Sequence, residues 1–388
     1  MNEGKRIMAN TFYTVEQKKL QGTYREAVRE HIAPLVKQID QTDRIPPELV
    51  KKLVQAPFSL TALSVPKKFG GLEMDKVSVC VIAEEIGYGC PALIPFLEIA
   101  QLYTHVIVLG GTERQQERFL TRIARGDIGC YALTDEGPGS DPASMKSTAA
   151  LDGDSFVVNG MKRLITFADM SDLFAIFANE DLAKGAKGIS AFIVEKGTPG
   201  LELTKHCECM GLKGHRAYNL AFTDMRIPAE NRIGKTGDGL RLALKVLSKT
   251  RISLAFGYVG LARAAFEAAA AFAQKREIAG KVLADKQNIQ FNLAELATRI
   301  DAARLLAYRA AVLSGQTYEH RKETSMAKYF AGDTLIAAVD LANRIHGGFG
   351  GDTDYPVERY LRDAYTWIAA QGTNDVQKLI ISREILNP

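Results

Sequence analysis

A chain of 388 residues, 46% hydrophobic and 24% charged, has the composition of an ordinary globular protein with two or three domains. Its formal charge of +4 is too mild for a nucleic-acid footprint, yet it leaves room for a local basic groove facing a polyanion. The polar N-terminus MNEGKRIMANTFYTVEQ lacks a signal core, and apolar runs such as 77–83 and 173–178 fall short of a membrane span.

The cysteines Cys80, Cys90, Cys130, Cys207 and Cys209 match no zinc or redox spacing, which predicts reduced thiols and a cytoplasmic protein. Apolar residues recur at helical intervals from Tyr13 to Ile39, and Pro46-Pro47 opens a short helix at Glu48. A loop at 67–72 precedes a helix predicted over Asp75–Tyr88, the break Gly89-Cys90-Pro91, and a helix over Ala92–Leu109. The segment 110–113 starts an amphipathic helix that ends near Arg125-Gly126. From Gly129 the period changes. The runs 156–160, 173–178, 189–194, 201–203 and 218–222 are β-rich, with hairpin signals at DGD (152–154) and at Asn159-Gly160. Three long helical patterns follow: Leu240–Arg276, with Gly257 and Gly260 among small residues, then Gln287–Ser314 and Glu323–Arg344. The reading is helix, sheet, helix: an N-terminal helical domain (1–127), a middle β domain (128–235) and a C-terminal helical bundle (236–388).

Four stretches carry chemistry. YALTDEGPGSD (131–141) ends a strand in a glycine-rich turn whose N–H groups and Ser140 hydroxyl suit a pyrophosphate or a polar ring edge; a plain β-turn is the bland alternative. NGMKRLIT (159–166) and FAQKREIAG (272–280) follow. Last comes RIHGGFGGDTDYPVERYLRDAYTWIAAQGTNDVQ (344–377), whose glycines permit close backbone approach to a ligand. In this order and spacing they resemble the acyl-CoA dehydrogenase family over about residues 12–385.

The resemblance implies a mainly α fold with a central, β-barrel-like domain and a C-terminal four-helix bundle. It implies FAD, with Tyr131, Leu133, Thr134, Gly139 and Ser140 as flavin contacts, Leu164 at a position usually aromatic, and Thr166 at flavin N5. Arg276 would reach the pyrophosphate of a neighbouring subunit's FAD, in a homotetramer or homodimer. Gln287, Arg344, Gly347, Gly348, Thr373 and Asn374 complete the cofactor set, and Ser140, Ser248 and Arg251 face the substrate. That substrate is an acyl thioester on CoA or a carrier protein, with an electron-transfer flavoprotein as acceptor. Metal, nucleic acid and a membrane span are not expected; His206, His215 and His346 lack metal spacing and read as structural.

The family's α,β-oxidation removes a proton from the substrate, and a carboxylate must receive it. Short- and medium-chain members hold that glutamate just before Gly-Thr, where this chain has Gln371. Other members hold it on the long central helix before an arginine, where this chain has Thr250 before Arg251. A carboxamide or a hydroxyl is far too weak a base. Glu98, on the apolar segment FLEIA (96–100), is the candidate replacement, against a pocket-lining group bonded to water. His105 lies two turns on; Asp169 and Asp375 read as surface or capping groups. A dehydrogenase with a relocated base ranks first, a base-independent reductase or monooxygenase second, and an inactive partner subunit third.

Overall fold

The computed structural model describes residues 12–386 except 138 and 316–319, so Pro138 of the glycine-rich turn lies outside the described residues. Six α-helices come first: α1 Val15–Ala27, α2 Val36–Thr42, α3 Pro47–Val54, α4 Lys76–Gly89, α5 Ile94–Gly110 and α6 Glu113–Ala124. Capping boxes, Thr14 with Gln17 and Thr112 with Gln115, fix where α1 and α6 begin. The helical pattern over Tyr13–Ile39 is not one helix. It passes through a π-turn at Val28–Ile32 and a 3-10 turn at Ala33–Leu35, because Pro34 lacks an N–H and its ring crowds the preceding turn.

The middle of the chain forms one sheet from β1 Gly129–Ala132, β2 Thr148–Asp152, β3 Ser155–Thr166, β4 Leu173–Asn179, β5 Ile189–Glu195, β6 Leu201–Cys207, β7 Ala217–Pro228 and β8 Arg232–Ile233. The strand order is β6-β7-β3-β2-β4-β5-β8, with β1 running parallel to β4. β4 is apolar at almost every position because both of its faces are covered. Leu173, Ala175 and Phe177 pack towards Tyr103, Val106 and Ile107 of α5, while Phe174, Ile176 and Ala178 join Val158, Phe222 and Ile227 in the sheet's own core. The DGD signal is a hairpin, with Asp152 opposite Ser155. The Asn159-Gly160 signal is not: β3 runs straight through it, and its register against β7 slips between Val158 and Gly160. Gly160 adopts φ 144°, and a Cβ there would lie 2.5 Å from Ser147 Oγ, so the glycine serves a bulge rather than a turn.

Five helices complete the fold: α7 Gly239–Lys275, α8 Gln287–Ser314, α9 Arg321–His346, α10 Val357–Trp367 and α11 Asn374–Leu386. A small ribbon, β9 Glu277–Ile278 with β10 Lys281–Val282, links α7 to α8. α9 packs against α7, α8 and α11. α7 also packs against α4 with its backbone almost touching: a Cβ on Gly87 would lie 2.4 Å from Gly257 O, and one on Gly260 would lie 2.2 Å from Glu84 O. The small residues near the middle of α7 are thus the contact surface for α4. The segment 91–110, which includes α5, and α7 are each long and apolar enough to cross a membrane, but most of their surface is buried inside the protein.

Candidate active site

The two positions where a base is expected meet. Gln371, in a left-handed conformation at φ 53° just before α11, places its side-chain Oε1 2.9 Å from the Thr250 hydroxyl on α7. Arg251, the next residue on α7, donates from Nε to the Gln371 carbonyl at 2.8 Å. The loop before α11 is thereby pinned to α7 by one backbone and one side-chain bond. The Arg251 guanidinium is buried and its pKa is pushed down to about 10, chiefly by burial, partly offset by Tyr131. Tyr131 and Arg251 therefore share one neighbourhood with Gln371.

Glu98 enters the same place from α5. Its side chain is only 5% exposed, and burial pushes its pKa up to about 8. The Gln371 carboxamide and the Lys328 ammonium act against that rise. Even so, Glu98 Oε1 and Gln371 Nε2 are both buried and complete no hydrogen bond among the described residues. A buried carboxyl oxygen and a buried amide nitrogen left open beside each other are costly. Such a pair is expected where a ligand or proton is to be handled. Glu98 is the carboxyl group at the junction of Thr250 and Gln371, two side chains unable to act as bases.

Lys328 on α9 is a member of this cluster that the sequence did not single out. It is wholly buried, donates to Ile368 O at 2.7 Å and Asn374 Oδ1 at 2.9 Å, and has its pKa lowered to about 7, first by burial and then by Arg251. Its signal was a lone lysine on the buried face Thr324, Ala327, Lys328, Ala331. The Asn374 side chain bonds Lys328 and, through Nδ2, Asp333 at 2.7 Å, which leaves its second Nδ2 hydrogen and its backbone for a cofactor contact. Thr373 Oγ1 accepts from Val376 N at 3.3 Å, at the start of α11. His105 does not join Glu98: its ring bonds the Gln101 carbonyl at 2.7 Å, and burial with the charges of Lys76 and Lys249 drives its pKa down to about 3.

The two β motifs form one surface. β3 lies beside the end of the glycine-rich segment, with Arg163 N donating to Thr134 O at 2.8 Å. The buried Lys162 ammonium bonds Leu133 O at 3.3 Å and forms an ion pair with buried Asp135. Asp135 also accepts from the backbone of Lys146 and Ser147, at 2.7 and 2.8 Å. This pair sits inside both motifs, and it holds Tyr131, Leu133 and Thr134 next to Leu164 and Thr166. Leu164 stands 57% exposed at φ 56°, an apolar group turned outward where a flat ligand can cover it. Gly139 and Ser140 are exposed beyond it. Ser248 is buried, and its hydroxyl has no partner among the described residues.

The remaining predicted residues gather elsewhere. Arg276 is exposed at the far end of α7, with its guanidinium 5.4 Å from the Phe349 ring beside exposed Gly347 and Gly348. Gln287 is exposed at the start of α8, and Arg344 is exposed and paired with Asp340 at 2.9 Å. Arg251 and Arg276 are 25 residues apart on one helix, about 37 Å along its axis. The structure thus makes two groups from one predicted set.

Residues 14–127, 130–225 and 237–386 match the N-terminal, middle and C-terminal domains of acyl-CoA dehydrogenases. An acyl-CoA dehydrogenase of Bacillus subtilis (strain 168) is 38% identical over 96% of this chain and 98% of its own length. An acryloyl-CoA reductase (NADH) of Anaerotignum propionicum is 35% identical over 96% and 95%. Among solved structures, butyryl-CoA dehydrogenase from Megasphaera elsdenii superposes with a TM-score of 0.93 at 31% identity, covering 98% of this chain and all of that one. The chain belongs to the acyl-CoA dehydrogenase family and is an oxidoreductase of that fold.

Proposed function

We propose that the protein is an FAD-dependent oxidoreductase acting on an acyl thioester, with the Glu98 carboxyl as the group that exchanges the substrate proton. The observation that carries this reading is the buried, unpartnered Glu98 Oε1 beside Gln371 and Thr250, the two side chains that fill the expected base positions. Tyr131, Leu133, Thr134, Leu164, Thr166 and the exposed Gly139–Ser140 turn suit one side of a flavin: an apolar wall, hydroxyl groups and a turn of backbone donors. When bound, FAD supplies the hydride acceptor or donor. Gln371 Nε2, which completes no hydrogen bond, suits the thioester oxygen or the Glu98 carboxylate, and the Ser248 hydroxyl suits a polar atom of the carrier group. A carboxyl group with pKa about 8 is protonated in about nine molecules of ten at pH 7, so it can give a proton as well as take one. Both a dehydrogenase and an enoyl-thioester reductase are compatible with that poise, and we place the dehydrogenase first.

Arg276, Gln287, Arg344, Gly347 and Gly348 suit the pyrophosphate and adenosine end of FAD. About 37 Å of helix separates them from Arg251, which neighbours Tyr131 of the flavin wall, farther than one cofactor reaches. We therefore assign them to the cofactor of a second copy of the chain, in a homodimer or homotetramer. An electron-transfer flavoprotein would accept the electrons in the dehydrogenase reading.

Two variants test this. Glu98→Gln should lower kcat on the productive thioester by about a hundredfold or more, with flavin content unchanged, because general acid–base catalysis contributes on that scale. Full turnover by Glu98→Gln would remove Glu98 from the chemistry. Gln371→Glu, which restores a carboxylate before Gly372-Thr373, should confer α,β-dehydrogenation of simple acyl-CoAs, read by anaerobic flavin bleaching.

A further inference from the structure

The Thr250 hydroxyl has one proton and two good acceptors: Gln371 Oε1 at 2.9 Å and Val246 O, one turn back on α7, at 3.2 Å. The Gln371 carboxamide has two unlike ends, one at Thr250 and the other towards Glu98. These facts are coupled. When Thr250 donates to Gln371 Oε1, as the 2.9 Å contact shows, Nε2 is the end left for Glu98, and an N–H favours an ionised carboxylate. When Thr250 donates to Val246 O instead, its oxygen is free to accept from Nε2. The amide then turns over, and Oε1 faces Glu98 as the acceptor a protonated carboxyl group needs.

We infer that Thr250 is a positioning residue that acts on Glu98 through Gln371: the direction of its single hydroxyl proton sets which end of the carboxamide the Glu98 carboxyl meets. The inference rests on Glu98 being the proton-exchanging group. Both base positions of the family pattern are then still in use, not as carboxylates but as a two-state hydrogen-bond relay that serves one lying on another helix. In each state a donor faces an acceptor at every step, which an apolar residue at either position does not allow. Other groups facing Glu98 do not supply this switch. Lys328 on α9 only donates, and its ammonium is held by Ile368 O and Asn374; Tyr258 on α7 spends its hydroxyl on Trp367 O at 2.9 Å. Arg251, also on α7, is held by the Gln371 carbonyl. Ser253 braces the same turn of α7 by donating to Thr250 O at 2.8 Å while receiving Gln101 Nε2 at 3.1 Å.

The test is the titration of the Glu98 carboxyl, followed as the infrared band of a protonated, desolvated carboxyl group in the purified flavoprotein, with no substrate. Wild type should lose that band as pH rises through about 8, and Glu98→Gln should lack it. Thr250→Val, which keeps the shape and removes the hydroxyl, should move the midpoint up by about one pH unit, a tenfold change in the ionisation equilibrium, because ionised Glu98 loses its oriented N–H. Thr250→Ser should restore the wild-type midpoint. In a Gln371→Leu background, adding Thr250→Val should move the midpoint no further, which a merely structural role for Thr250 does not predict. An unchanged midpoint in Thr250→Val, or an equal shift in both backgrounds, overturns the relay. Buried Asp363, raised to about 6, gives a band that is lost at lower pH; a wild-type band with its midpoint near 8 that survives Glu98→Gln overturns the assignment of Glu98 itself, and so separates the two failures.

Discussion

The cost of Glu98 is the cost of keeping a carboxyl group away from water. Its pKa is raised from 4.5 in the unfolded chain to about 8 in the fold, first by burial. Between those values the folded state binds more protons than the unfolded state. The stability associated with the neutral group is therefore fully present below about pH 4.5 and is lost progressively as pH rises to about 8. Glu98→Gln carries no such charge. Its melting temperature should gain on that of wild type as pH is raised from 5 to 8, and the gap should stop widening above that. A constant gap across this range in calorimetry would mean that Glu98 is not held neutral. Lys328 works in the opposite direction: its lowered pKa makes stability rise with pH above about 7, and the paired comparison with Glu98→Gln cancels most of that common slope.

At the scale of elements, α4 and α7 are held by contact of small residues and by charge. Beside the glycine contact, Glu84 and Glu85 of α4 are buried against Arg263 of α7, with bonds of 2.7 Å to Glu84 and 3.1 Å to Glu85. Arg304 of α8 bonds Glu84 at 3.0 Å, and Arg25 of α1 reaches Glu85 at the same distance. Four helices therefore share two carboxylates, and each charge is paired, as burial requires. Gly260→Ala forces a methyl group against Glu84 O and should destabilise the protein by about 1–3 kcal/mol in urea unfolding. A change within the error of the measurement would show that α4 can slide on α7. The helices were legible in the sequence because their periodicity is a local property. Their contact was not: Gly257 and Gly260 stood out as small residues, while their partner Gly87 lies 170 positions away from Gly257 on α4.

Across the whole molecule, the three parts of the chain meet at Arg362 of α10. Its guanidinium bonds Asp40 of α2 at 3.0 and 2.8 Å, Met210 O after β6 at 3.1 Å, and Glu358 one turn back at 2.7 and 2.9 Å. The neighbouring Asp363 accepts from the Leu212 N–H, and burial raises its pKa to about 6. Arg362→Met should cost about 1–2 kcal/mol, discounted for partial exposure, and should speed proteolysis in the 208–216 segment. Unchanged cleavage there would mean that the other contacts of that segment suffice to hold it.

The sequence by itself determined most of the elements, their order and the family. It also exposed the absence of a carboxylate at Gln371 and Thr250, because those facts reside in periodicity and in motifs read along the chain. It marked Glu98 as unusual, since a charge on an apolar helix face is conspicuous without coordinates. Only the tertiary structure decided that Thr250, Gln371 and Glu98 converge from α7, the loop before α11 and α5, and that Lys328 of α9 stands with them. It also divided the predicted cofactor residues into two groups, one around Tyr131 near Arg251 and one beyond the C-terminal end of α7. Hydrogen-bond direction, burial and the distance along a rigid helix depend on which elements pack together, and no local pattern encodes them.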